Sequence, residues 1–355
     1  MESRVSRWWK VPAGMEPDEL KNREEVIRAA DCLRQGGLVA FPTETVYGLG
    51  AIATSEQAVA QIFAAKGRPS DNPLIIHIGD KDQLSHWVSE LPDVAGKLVR
   101  SFWPGPLTLV LPHQGNIAAN VTAGLDTVAV RMPSHPVALA LLQLAGEPVA
   151  APSANRSGRP SPTEAAHVWH DLAGRLDILL DGGETGVGVE STVVDVTGEI
   201  PVLLRPGGIT VEALTRAVGH VEIDAGLKQE ESVPRSPGMK YRHYAPQAEM
   251  WLVEGQEEHV LARIRELGAD AMRRGRKVGI LTTEEHADKF HADVVIPCGR
   301  RSDPLSVARG LYQALRTFDA RGVDFILAEA FPEKGIFYSV MNRLRKAADG
   351  KVIRV

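Results

Sequence analysis

Phe41-Pro42-Thr43-Glu44-Thr45-Val46-Tyr47-Gly48-Leu49-Gly50, with Lys66-Gly67-Arg68-Pro69-Ser70-Asp71-Asn72-Pro73-Leu74-Ile75-Ile76-His77 after it, decides how the chain reads. The apolar run 37–41 has the character of a buried strand, and Pro42 ends it because proline cannot donate to a ladder. Thr43, Glu44, Thr45 and Tyr47 then crowd beyond the strand's carboxyl end, where ligands sit in open α/β sheets. Between the two stretches Ala58, Val59, Ile62 and Phe63 recur at helical spacing, which predicts a helix over 55–65. A short strand over 74–78 carries His77. Lys66 and Arg68, held between a glycine and a proline, offer a point charge and a planar guanidinium, a pairing suited to an oxyanion. The competing reading is two ordinary solvated cations.

Working outward, residues 1–20 read as an irregular arm bearing Trp8 and Trp9, and 22–35 as a helix stopped by Gly36-Gly37. A helix over 94–102 runs into Trp103-Pro104-Gly105-Pro106, a rigid turn that starts a strand over 107–111. Strands over 127–132 and 149–151 flank a helix over 136–144, and apolar runs at 176–180, 192–196 and 202–204 add further buried strands. A helix over 210–218 closes this half. Residues 1–222 are therefore expected to form one α/β domain. Residues 223–246 change character: from Pro234 to Pro246 they carry three prolines, two tyrosines and four basic or near-basic side chains, the composition of a linker that also contacts something. From 247 to 355 helices (257–274, 304–320, 336–347) alternate with strands (277–282, 294–297, 325–328, 352–355), which predicts a smaller parallel sheet. Asp303 is the expected N-cap of the 304–320 helix. No dinucleotide-type glycine fingerprint follows the first strand of this domain, and no concentrated set of reactive residues is evident in it.

Forty basic against forty-five acidic residues give a formal charge of −5, short of the basic excess of a dedicated nucleic-acid binder. The two cysteines, Cys32 and Cys298, are far apart and match no metal-ligand spacing, which excludes a disulfide framework. With no signal-like apolar core at the start and no run of ~18 apolar residues, a soluble cytoplasmic protein is expected.

Thr45, Lys66, Arg68, Asn72, His77, Arg131, Ser153, Asn155, Ser161, Ser191 and Arg205 recur near the ends of successive strands of the first domain. They are hydroxyls, amides and cations with few carboxylates, a set suited to phosphates and carboxylates rather than to paired acid/base hydrolysis. The competing reading of any single Ser or Asn is a turn or cap residue, which suits the set less well because it recurs at successive strand ends. Eleven histidines without H-x-x-x-H or Cys-paired spacing argue against a transition-metal site.

The chain resembles the YrdC/Sua5 family, the L-threonylcarbamoyladenylate synthases. The motifs that carry the resemblance run in order along nearly the whole sequence. They are Lys66-x-Arg68-Pro-x-x-Asn72-Pro-Leu, Trp103-Pro-Gly-Pro-Leu-Thr108, Val130-Arg-x-Pro133, Pro152-Ser-Ala-Asn155, Glu190-Ser-Thr192 and Leu204-Arg-Pro-Gly207. Ser236 to Pro246 resembles the linker of the two-domain Sua5 branch. The resemblance implies a YrdC-like mixed, twisted sheet with a concave face, followed by the linker and a Rossmann-like Sua5 domain. It also implies a nucleotidyltransferase that converts ATP, L-threonine and bicarbonate to L-threonylcarbamoyladenylate and pyrophosphate. That is the first step of threonylcarbamoyladenosine formation at adenosine 37 of tRNAs reading codons that begin with A. By resemblance Thr45, His77, Arg131 and Ser191 line the threonine pocket. Lys66, Arg68, Asn72, Thr127, Ala151, Ser153, Asn155, Ser161 and Arg205 face ATP, Lys66 and Arg68 being the catalytic cations, and Tyr244 reaches back from the linker. Mg2+ is expected on the ATP phosphates with unassigned protein ligands, Asp181, Glu184 and Glu190 being its candidate neighbours. Residues 236–246 are expected to serve as a lid over a labile carbamate. Hand-off to the tRNA threonylcarbamoyl transferase machinery and a weak RNA contact are the expected partnerships, with no membrane.

Two rivals stand beside this reading. One is a non-catalytic RNA-binding protein using a basic concave face of Lys66, Arg68, Arg131, Arg156 and Arg159 with the linker cations. The other is a carbamoyltransferase of the hydrogenase-maturation type, disfavoured by the absence of zinc-finger cysteines. The C-terminal domain is expected to have a regulatory, positioning or docking role.

Overall fold

The computed structural model describes residues 4–227 and 244–355, which divide into two compact units. The first comprises 4–157, 162–186 and 190–227; the second comprises 158–161, 187–189 and 244–355. The lid residues 236–243, with the rest of 228–243, lie outside the described residues.

In the first unit the strands are β1 (Arg7–Lys10), β2 (Val39–Phe41), β3 (Gly48–Ile52), β4 (Ile75–His77), β5 (Leu107–Pro112) and β6 (Thr127–Arg131). They continue with β7 (Val149–Ala150), β8 (Ile178–Asp181), β9 (Thr192–Asp195), β10 (Val202–Arg205) and β11 (Glu222–Ile223). All eleven join one mixed sheet in the order β1-β8-β2-β3-β7-β4-β6-β5-β9-β10-β11. Helices Glu24–Arg34 and Pro136–Ala145 bury Val26, Ala29, Ala30 and Leu33 together with Val137, Leu141 and Leu142 in a core that includes Phe41 and Leu180.

Several elements differ from the sequence expectation. The N-terminal arm contains a strand: β1 pairs in parallel with β8, Trp8 opposite Leu179, and the Trp8 indole packs 5.5 Å from Trp169 while donating to Asp181 Oδ2. Residues 48–52, to which the sequence reading assigns no element, form β3, antiparallel to both β2 and β7. Helix Ala165–Leu172 also has no counterpart in the sequence reading. The segment assigned to the linker starts in ordered structure: Glu222–Ile223 pairs with β10 and Ala225–Leu227 makes a 3-10 turn.

The second unit holds β12 (Glu249–Glu254), β13 (Val278–Thr282), β14 (Val294–Pro297), β15 (Phe325–Glu329) and β16 (Val352–Arg354), all parallel, in the order β14-β13-β15-β12-β16. Strand β12 was not anticipated. Asp303 caps helix Pro304–Ala320 through the amide of Ser306, as expected. A buried charge cluster, missed in the sequence, sits at the carboxyl ends of β13 and β15. Glu329, 1% exposed, accepts from Thr282 Oγ1 (2.7 Å), Thr283 N (2.8 Å) and Arg301 Nη1 (3.3 Å), and its Oε2 lies 2.9 Å from His286 Nδ1. On its other side His286 Nε2 faces Glu257 at 3.2 Å.

Candidate active site

The first unit aligns polar side chains across one rung of its sheet. His77 on β4 is paired with Arg131 on β6, Arg131 with Thr108 on β5, Thr108 with Val193 on β9, and Val193 with Arg205 on β10. Residues paired across a sheet present their side chains to the same face, and those two positions further along do so too. Ser191 therefore joins the row, and its hydroxyl lies 2.8 Å from Thr108 Oγ1. The same face carries the apolar cluster Ile75, Val110, Ala129, Val193 and Leu204, so the polar rung borders a dry patch.

The loops hold this rung in place. Arg205 donates from Nε to Ser191 O and from Nη2 to Ser191 Oγ, both at 3.0 Å. The following turn lies flat on the β9 entry: a Cβ at Gly207 would come within 2.3 Å of the Ser191 carbonyl carbon and of Thr192 N, so only glycine fits. Arg131 donates from Nε to Gly105 O (3.3 Å), a carbonyl presented by the Trp-Pro-Gly-Pro turn, and from Nη1 to Thr45 Oγ1 (2.9 Å). Thr45 Oγ1 is in turn 2.8 Å from Thr43 Oγ1, which is itself anchored to the Val46 carbonyl. Arg131 Nη2 also lies 2.7 Å from Glu44 Oε1. Thr43, Glu44 and Thr108 complete this constellation and were not assigned from sequence, although all three sit inside the stretches that drew attention.

The two cations of the Lys-x-Arg motif are anchored separately. Helix Glu56–Lys66 starts at the Ser55 cap and ends at Gly67, whose φ of 64° lies in the left-handed region and reverses the chain. Lys66 Nζ, 3% exposed, donates to two main-chain carbonyls, Asn155 O at 2.8 Å and Ser153 O. Those acceptors are held because Ser153 bridges Gly48 at the start of β3 and Ala154 N bonds to Tyr47 O. Burial, with Arg68 adding repulsion, pushes the Lys66 amine down to about 7. Arg68 Nη2 donates to Asn72 O (3.2 Å), while the side-chain nitrogen and oxygen of Asn72, fully buried, have no hydrogen-bond partner among the described residues. A groove of about 460 Å3 runs beside Arg68, lined by Phe63, Ala64, Ser70 and Asn120. Burial, reinforced by the Arg131 charge, pushes His77 down to about 3, which leaves a neutral imidazole.

The remaining expected residues are spread over several elements. Thr127 opens β6 opposite Pro112, four residues from Arg131 and roughly 13 Å along the strand. Ala151 N is committed to Ile75 O. Ser161 and Tyr244 belong to the second unit, where the Tyr244 ring stacks on Tyr312 with centroids 5.5 Å apart and lies 5.4 Å from the Arg343 guanidinium. Asp181 sits on β8, four strands from β4 in the sheet, where it accepts from Trp8 and Gly183. Glu184 follows in the loop after β8, and Glu190, 7% exposed, directly precedes Ser191. Among the described residues no group of three or more His, Cys, Asp or Glu is placed to hold a metal ion. No described helix is long and apolar enough to cross a membrane.

Two family models match the sequence. One, for Sua5, YciO and YrdC and described as telomere recombination, covers residues 31–207; the other, described as the C-terminal domain of threonylcarbamoyl-AMP synthase, covers 209–349. The threonylcarbamoyl-AMP synthase of Bacillus subtilis is 54% identical over 339 residues, 95% of this chain and 97% of its own length. The chain belongs to the Sua5/YrdC family. The Pyrococcus abyssi threonylcarbamoyl-AMP synthase is 51% identical over 328 residues, 92% of this chain and 95% of its own. The crystal structure of P. abyssi Sua5 complexed with L-threonine superposes with a TM-score of 0.91 at 48% identity, spanning 99% of this chain and 100% of that one. The family assignment and the fold, a mixed sheet domain with a parallel-sheet Sua5 domain, agree with the expectation from sequence.

Proposed function

We propose that this chain is a threonylcarbamoyl-AMP synthase acting as a nucleotidyltransferase. L-threonine, bicarbonate and ATP would give L-threonylcarbamoyladenylate, pyrophosphate and water. The observation that carries the reading is the rung His77–Arg131–Thr108–Ser191–Arg205, joined through Thr45 to the turn beside it, in a family member whose P. abyssi relative was crystallised with L-threonine. The uncommitted N–H groups of Arg131 suit a carboxylate, a neutral His77 can accept or donate at the substrate hydroxyl, and Ser191 completes a small polar pocket. Once the threonine amine has captured CO2 or bicarbonate, the carbamate oxygen attacks the α-phosphorus and pyrophosphate departs. Both reactants are anions; Arg68 supplies compensating charge, and Lys66 would join it once the bound phosphates draw a proton onto an amine that is half neutral at pH 7 in the ligand-free fold. The orphaned amide of Asn72 offers one donor and one acceptor to the nucleotide. Mg2+ would enter as part of the substrate MgATP, and the donor-rich set fits its phosphate oxygens better than a bare ion. The product's threonylcarbamoyl group would pass to a tRNA-modifying transferase, in a cytoplasmic setting.

The RNA-binding rival fits poorly. Lys66, Arg68 and Arg131 are each 9% exposed or less, whereas cations that neutralise an RNA backbone must stand at the surface, and of the rival's described cations Arg156 and Arg159 alone are partly exposed. The test is pyrophosphate release by the full chain with ATP, threonine and bicarbonate, omitting each in turn. Release that ignores threonine would overturn the proposal.

A further inference from the structure

The turn after β2 carries a carboxylate to which the scheme above gives no task. Glu44 keeps 13% of its side chain accessible, and its Oε2 accepts the Ser134 amide at 3.1 Å. Its Oε1 lies 2.7 Å from Arg131 Nη2, yet the approach is off the hydrogen-bond axis: neither atom has a hydrogen-bond partner among the described residues, although both are buried. A guanidinium and a carboxylate thus touch as an ion pair while each keeps unused hydrogen-bonding capacity. Buried polar atoms in that condition are uncommon and call for a partner. An α-amino acid carries the complementary pattern, an anionic and a cationic group on one carbon. Laid against the Arg131–Glu44 pair, its carboxylate meets the guanidinium and its ammonium meets the carboxylate, so both charges are matched at once.

We propose that Glu44 receives the α-ammonium of the amino-acid substrate while Arg131 beside it takes the carboxylate, the pair recognising the zwitterion as a unit. The proposal rests on the amino-acid reading of this site given above. It makes Glu44 a specificity determinant: a hydroxy acid without the amine leaves its carboxylate without the matching cation, whereas threonine supplies one. The bland role for Glu44 is a strut that only steadies Arg131, and the two roles separate cleanly by ligand.

The experiment compares L-threonine with 3-hydroxybutanoate, which is threonine without its amine, using the full chain. Binding is measured by calorimetry and by competition in threonine-dependent pyrophosphate release, for wild type and Glu44→Gln. Glutamine keeps the size and can still accept the Ser134 amide. Loss of the charge is expected to weaken threonine at least about tenfold with little effect on 3-hydroxybutanoate, so that the preference collapses. Equal weakening of both ligands, with the preference intact, would leave Glu44 as a strut and overturn the proposal. If Glu44→Gln does not fold, Glu44→Asp shortens the reach by one methylene and is expected to weaken threonine alone; equal weakening again overturns it. A wild type that binds neither compound shows instead that the amino-acid reading is wrong, and the role of Glu44 falls with it.

Discussion

Replacing Lys66 by methionine should separate stability from activity. The ammonium donates to two main-chain carbonyls, and burial with the Arg68 charge takes its pKa from 10.5 to about 7 against the opposing pull of the Asp171 carboxylate. Holding it in the fold therefore costs roughly 4 kcal/mol at pH 7. Methionine fills much of the same volume and removes that cost, but it strips a donor from two carbonyls at ~1–3 kcal/mol each. The terms nearly cancel, so Lys66→Met should lie within about 2 kcal/mol of wild type in urea unfolding at neutral pH. Across pH 7 to 10.5 the folded chain holds Lys66 neutral while the unfolded chain keeps it protonated. Wild-type stability consequently climbs with pH in that window and is lost again as pH falls toward 7. The variant lacks this climb, and its stability relative to wild type should drop by about 1.4 kcal/mol per pH unit between pH 7.5 and 9.5. Pyrophosphate release should meanwhile fall by roughly 10²–10³ in kcat, the usual effect of removing one preorganised donor from developing charge. A parallel pH dependence of the two stabilities, or activity within a few-fold of wild type, would refute the argument.

Three other outcomes are expected. Ser191→Ala removes one partner each from Thr108 Oγ1 and Arg205 Nη2, and should raise the KM for threonine by about tenfold or more while the KM for ATP moves little. His77→Gln should flatten the acid limb of unfolding: the folded pKa of about 3 against 6.5 unfolded makes wild type lose stability as pH falls from 6.5 toward 3, which calorimetric melts along a pH series would show. Glu329→Gln breaks a buried charge cluster with His286 and Arg301, and should cost about 3–5 kcal/mol in a denaturant melt monitored in the second unit.

Much of this molecule can be read from residues alone because apolar runs and caps are local signals. Ser55 and Asp303 cap the helices they precede, and the runs at β5, β6 and β9 appear within a residue or two of their observed ends. What escaped detection was non-local. Strand β3 is rich in glycine, which reads as turn, yet it is fixed by pairing on both sides with β2 and β7. Strand β1 looks like an irregular arm until β8, more than 160 residues later, supplies its partner. The Glu44–Arg131 contact and the Glu329 cluster likewise join residues far apart in sequence, so no spacing rule announces them.

The position of β1 has a practical consequence. It occupies one end of the eleven-stranded array and covers the side of β8 that would otherwise carry a row of open amides and carbonyls. A chain shortened to begin at residue 12 would bare that row while keeping helix Glu24–Arg34, and offer the row as a template to a second copy. Such a trimmed protein should self-associate in sedimentation at concentrations where the full-length chain does not. The opening dozen residues thus act as a guard against the molecule's own stickiness.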